Sequence, residues 1–229
     1  MSTPVSFLLI PSEGLAGVLT RARLAAMRAT VAEGLEDPED DDDEVLLLEL
    51  MDHLSRHGAD TLTRLPEQLE DGVWDLLDVL ADELVHLGKD ARGEPLELAT
   101  QLHPSEYDLQ AAEAVVGSSC AEPIHRLWRF TVVGRMPGQD IPTSTGSMRA
   151  YPALGYWTGA EVRQLREGLR EHLDGAPDYK PHLRSARIRA WLQRKLSPAR
   201  RGDPARALDA ATHALDKASR QGVGLLFAR

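Results

Sequence analysis

Apolar positions along this chain fall into two kinds of run. Short continuous runs stand near the two ends, and runs with a period of three to four fill the interior. Residues 5–10, VSFLLI, are apolar without strict alternation and stop at Pro11, which predicts a strand covered on both faces. Residues 223–227, VGLLF, have the same character and are the natural partner. Together they predict a small sheet, in which a strand at about 5–10 pairs with one at about 223–228. The sheet sits in an α+β, predominantly helical fold, expected to be a single domain over residues 1–229.

The interior runs read as helices. Ser12 and Glu13 provide a helix entry, and Leu15, Val18, Leu19, Leu24, Met27 and Val31 continue it towards Gly34. Residues 20–23 interrupt that apolar face, so two helices are expected. Residues 44–57 predict a helix with Val45, Leu48 and Met51 facing inward beside Leu47 and Leu54, stopped by Gly58. Residues 73–87 are apolar over more than half of the helical surface, which predicts a central helix capped by Asp71 and ended by Gly88. Residues 89–104 read as a loop, and Ser105 with Asp108 opens a short helix.

Residues 124–134 mix helical spacing (Ile124, Leu127, Trp128) with strand formers (Phe130, Val132, Val133). A helix running into an extended piece is expected. Residues 135–150 form a long loop. Tyr151, Tyr156 and Trp157 then lead into Thr158, which makes a T-x-x-E capping box with Glu161. Val162, Leu165, Leu169 and Leu173 carry that helix on. A basic helix is expected over 183–196. Asp203 and Pro204 then start a last helix, which Gly222 ends.

Charge changes this picture most. Residues 36–44 hold eight acids in nine positions, an acidic loop leading into a helix. Residues 1–120 carry 7 Lys+Arg against 26 Asp+Glu, and residues 121–229 carry 19 against 10, so the balances are −19 and +9. One reading docks the acidic half on the basic half. The other makes Asp40, Asp41, Asp42, Asp43 and Glu44 the contact for a basic partner, steered by the field. The acidic loop lacks the glycine and the twelfth-position glutamate of an EF-hand. With 22 Arg, 4 Lys and no Asn, arginine abundance reflects GC-rich coding and is not evidence of phosphate recognition. That discounts nucleic-acid binding through 180–206, as does the overall charge of −10.

Candidate chemistry is sparse. Gly117-Ser118-Ser119-Cys120 lacks the second glycine of a nucleophile elbow, and His125 is only a sequence neighbour of Cys120. His53 and His57 share one helical face and are candidate metal ligands, given a third ligand from elsewhere; no HExxH glutamate stands between them. No cofactor motif is present, and the chain reads as non-catalytic. An alternative is a small-molecule pocket or enzyme site near residues 135–157. Tyr151, Tyr156, Trp157 and Thr158 would line it and a helix N-terminus would face an anionic ligand. The single cysteine, the absence of a 20-residue apolar run and a 6–10 run too short for a leader core point to the cytoplasm, with no membrane.

Three features together resemble YfbM-like uncharacterised bacterial proteins. They are the opening strand followed by helices, the PALGYW-T-x-x-E-V junction at 152–162 and the helix running into GVGLLF at the end. The resemblance implies an α+β fold and a bacterial source, and it supplies no catalytic residue. The functional expectation is a bacterial protein-interaction protein that neutralises a basic partner, as toxin-immunity proteins do.

Overall fold

The two apolar end runs are strands, and they pair. A computed structural model describes residues 4–34, 42–85, 96–138, 154–173 and 202–228. Strand β1 (Ser6–Ile10) lies antiparallel to β3 (Gly224–Ala228), with Leu8 opposite Leu226. The predicted pairing of the two ends is therefore present. A third strand, β2 (Leu154–Trp157), joins the other side of β3, giving the order β1-β3-β2. The expected aromatic lead-in to Thr158 is thus a strand of the sheet.

Side chains alternate across the pleat, and both faces are apolar. Phe7, Leu9, Trp157, Leu225 and Phe227 face one core. Leu8, Ile10, Leu154, Tyr156, Leu226 and Ala228 face the other. A sheet covered on both sides needs no polar alternation, which is why the end runs are continuously apolar. Gly155 is where β2 comes closest to its surroundings. A Cβ there would sit 2.6 Å from the Phe130 carbonyl and against the Phe227 ring.

Eight α-helices among the described residues cover the sheet. Helices α1 (Leu15–Val18), α2 (Arg21–Gly34), α3 (Asp42–His57) and α4 (Gly72–Val85) bury Leu15, Leu24, Leu50 and Leu77 on one face. Two 3-10 turns, Ala59–Thr63 and Glu67–Leu69, join α3 to α4. Helices α5 (Glu106–Ser119), α6 (Glu122–Val133), α7 (Gly159–Leu173) and α8 (Pro204–Gln221) bury Leu109, Trp128, Leu165 and Leu208 on the other. The first helical segment is divided, though at residues 19–20 and not over 20–23, since Arg21 already opens α2: the Thr20 hydroxyl accepts from the Arg23 amide and its carbonyl from the Leu24 amide.

Several start and stop signals act as expected. Ser105 with Asp108 and Thr158 with Glu161 form reciprocal capping boxes at α5 and α7. Asp203 accepts from the Ala205 amide at the start of α8. Gly222 ends α8 in the left-handed region at φ 70°. Ser12 does not cap a helix: Gly14 precedes α1 and no side chain caps it.

Two packing expectations are corrected. On α3 the buried stripe is Leu47, Leu50, Met51 and Leu54, while Val45 and Leu48 are half-buried, so the helix is rotated relative to the expected face. Residues 130–133 are helical, not extended. Phe130, Thr131, Val132 and Val133 are all buried. The end of α6 is thus covered on every side, and a helix buried all round carries the same continuous apolar signature as a buried strand.

Both outer edges of the sheet are occupied. Beyond β1, the Leu9 amide donates to the Glu97 carbonyl and the Ala99 amide to the Phe7 carbonyl, both at 2.8 Å. Lys217 on α8 clamps that segment through the Leu98 carbonyl and the Glu97 carboxylate, both at 2.7 Å. Beyond β2, the Arg135 amide donates to the Leu154 carbonyl and its guanidinium to the Tyr156 carbonyl. Neither edge is left as a template for pairing.

Helices α7 and α8 are tied by Arg166, whose Nε donates to Asp216 at 2.5 Å, with Arg170 at 3.4 Å. Burial pushes the Asp216 carboxyl up, but Arg166, Arg170 and Arg220 together hold it below the usual range. The pair therefore contributes stability above the ordinary carboxylate pKa and loses it as pH falls through the lowered value. Asp216→Asn is expected to lower the thermal midpoint at pH 7. The gap to the parent should narrow as the pH of the melt is lowered through and below the ordinary carboxylate range, and a gap that holds constant with pH would refute the linkage.

Candidate functional site

An acidic groove lies on the α1–α4 side. Each of three helices lays one stripe into it, at spacings of three or four. Helix α2 contributes Thr30, Val31 and Gly34; α3 contributes Asp43, Glu44 and Leu47; α4 contributes Asp75, Asp78 and Val79. The groove encloses about 380 Å³. Leu47 is buried and Val31 and Val79 are half-buried, so the floor is apolar. Among the described residues, the walls carry four carboxylates and none of the nine lining residues is basic. Asp43 and Glu44 stand in the first turn of α3, where the helix dipole favours negative charge.

Of the acidic partner-contact residues read from sequence, Asp43 and Glu44 line this groove. Asp42 is the first residue of α3, and Asp40 and Asp41 lie outside the described residues. Asp75 and Asp78 were not singled out. In sequence they read as the polar positions of an apolar helix, and only the packing of α4 beside α3 turns them towards Asp43 and Glu44.

Two of the aromatics expected to line a pocket near residues 135–157, Tyr156 and Trp157, are buried in the core. Trp157 is fully buried, and its indole N–H donates to the Leu127 carbonyl at 2.9 Å. Tyr156 is 8% exposed and packs under the Arg135 guanidinium, 4.7 Å from the ring centre. Arg135 also lies 4.5 Å from the Phe130 ring centre and donates to Glu161 Oε2 at 2.7 Å. That same carboxylate oxygen accepts from the Thr158 amide and hydroxyl, so the N-terminus of α7 already holds an anion. Tyr156, Trp157 and Thr158 thus form a packed junction. Tyr151 and residues 139–153 lie outside the described residues, as do the acidic loop to residue 41 and the basic helix expected over 183–196. Arg135 was missed because a lone arginine at a helix end carries no pattern.

Burial pushes the Cys120 thiol up, away from the reactive thiolate. The Ser118 hydroxyl donates to the Val115 carbonyl. His125 lies 3.8 Å from both Glu113 and Glu122, carboxylates on α5 and α6. His53 and His57 do stack on one face of α3, with ring centres 4.6 Å apart. Burial, with the charges of His57 and Arg56, holds His53 below the usual histidine value. Among the described residues no group of three or more His, Cys, Asp or Glu is placed to hold a metal ion. No described helix is long and apolar enough to cross a membrane.

No family model matches the chain, and neither a curated protein nor a solved structure is detectably similar to it.

Proposed function

We propose that this is a non-catalytic protein-interaction protein, of the immunity type, whose acidic groove takes a basic partner. The observation that carries the reading is the convergence of Asp43, Glu44, Asp75 and Asp78 over an apolar floor. A lysine or arginine side chain suits such a groove, because its alkyl stem covers apolar surface while its charged head meets the carboxylates. The strong negative balance of residues 1–120 adds long-range steering, which raises the association rate and makes it salt-dependent. Among the described residues, ion pairs are found both within the acidic half and between the halves. Arg28 pairs with Asp52, both in the acidic half, whereas Arg129 with Glu113 and Lys217 with Glu97 join the halves.

The test is affinity capture from bacterial extracts by the wild type and by Asp75→Lys/Asp78→Lys, at low salt and at about 0.5 M salt. Circular dichroism shows that the variant is folded. A partner held by the wild type at low salt, and lost both in high salt and from the variant, is the expected result. No partner at either salt, or one that the variant retains equally, would defeat the reading.

A further inference from the structure

We propose that Glu83 makes the seam between α2 and α4 sensitive to protons: the two helices close fully over its neutral carboxyl, and its ionised form loosens them. Glu83 stands on the buried side of α4, is 7% exposed and has its Oε2 screened from solvent. Among the described residues no hydrogen bond reaches that oxygen. It thus has neither bulk water nor a protein donor to stabilise charge. A carboxylate in that position gives up its hydration without replacement, which costs far more than burying the neutral acid.

The elements packed on α4 supply little compensation. Strand β3 brings no titratable group, and β2 brings Tyr156, whose ring lies against Arg135. Helix α3 puts Leu47, Leu50, Met51 and Leu54 into the shared core, while its Asp43 and Glu44 line the groove. Helix α2 brings Arg23, itself only 6% exposed. Burial pushes the Glu83 carboxyl up, and the Arg23 charge offsets this only in part. The other acids of α4 are Asp75, Asp78 and Asp82, of which Asp78 and Asp82 are exposed.

Position links this seam to the groove. Glu83 stands one turn beyond Val79 on α4, and Arg23 two turns before Thr30 and Val31 on α2. Val79, Thr30 and Val31 line the acidic groove, so the buried acid and base occupy the next stretch of the same helix–helix contact. A carboxyl raised above its unfolded value binds its proton more tightly in the native state. Stability is therefore penalised as pH rises from the unfolded value through the raised one, and the penalty is absent below both. The dependence runs opposite to that of Asp216, whose carboxyl is lowered.

Thermal melts of the full chain over a pH series test this, with Glu83→Met, which keeps the length of the side chain and removes its charge. Above neutral pH the variant is expected to melt higher than the wild type, by about 3 °C or more. The difference should shrink as the pH is lowered through the ordinary carboxylate range, because the native carboxyl is then already neutral. Glu83→Gln, which resembles the neutral acid, should show the same trend with pH. Native-state hydrogen exchange, compared between wild type and Glu83→Met at each pH, should place the difference in the amides of α2 and α4 and leave α7 and α8 unchanged. A Glu83→Met protein that melts below the wild type above neutral pH would overturn the proposal, because the carboxylate would then be making a favourable pairing. So would a difference that holds constant with pH in both variants, or exchange differences spread equally over α7 and α8.

Discussion

Trp157→Ala is expected to lower folding stability by about 3–5 kcal/mol, the range for removing a large aromatic from a packed core. The side chain has no exposed surface and packs on Phe227 with ring centres 4.9 Å apart. Its indole N–H reaches the Leu127 carbonyl, so it also ties β2 to α6. Trp157→Phe keeps most of the volume and loses the hydrogen bond, and should cost roughly 1–2 kcal/mol. Urea unfolding followed by circular dichroism measures both, with the midpoint read at unchanged slope. A loss below about 1 kcal/mol for Trp157→Ala would mean that the ring is not part of the core, and would return the junction to the list of ligand pockets.

Arg135→Ala is expected to be the second large loss, about 3 kcal/mol, because it breaks a buried ion pair from one side. The guanidinium does three jobs at once. It neutralises Glu161, it lies on the faces of Phe130 and Tyr156, and it donates to the Tyr156 carbonyl on the outer edge of β2. Glu161→Gln should cost less, since that side chain is 20% exposed and water can serve its partner in part. A double-mutant cycle between Arg135→Met and Glu161→Gln separates the pair from the packing. A coupling near zero, with Arg135→Met as stable as the wild type, would show that the arginine acts only as apolar bulk. Together the two variants test whether the region near residues 135–157 is a structural junction.

That region shows why the site was only partly legible. The capping box of Thr158 and Glu161 is written in four consecutive residues and could be read directly. Its third member, Arg135, comes from the end of α6 and is brought in by the fold. The acidic groove is similar. Asp43 and Glu44 stood out within a run of charge, whereas Asp75 and Asp78 alternate with Leu76, Leu77 and Val79 and look like an ordinary solvated face.

The sequence by itself determined what depends on neighbours within about four residues: the apolar end strands, the capping boxes at Ser105 and Thr158, the break at Thr20 and the stop at Gly222. The pairing of β1 with β3 was also legible, because two doubly apolar runs have few other places to be buried. The tertiary structure decided the rest. It added β2 beside β3, kept residues 130–133 helical, turned Trp157 and Tyr156 into core, and set α2, α3 and α4 so that their acidic stripes meet. The physical reason is that helix and turn signals are local free-energy differences along the chain. The faces that meet, and the charges that therefore share a groove, follow from how whole helices pack on the two sides of one sheet.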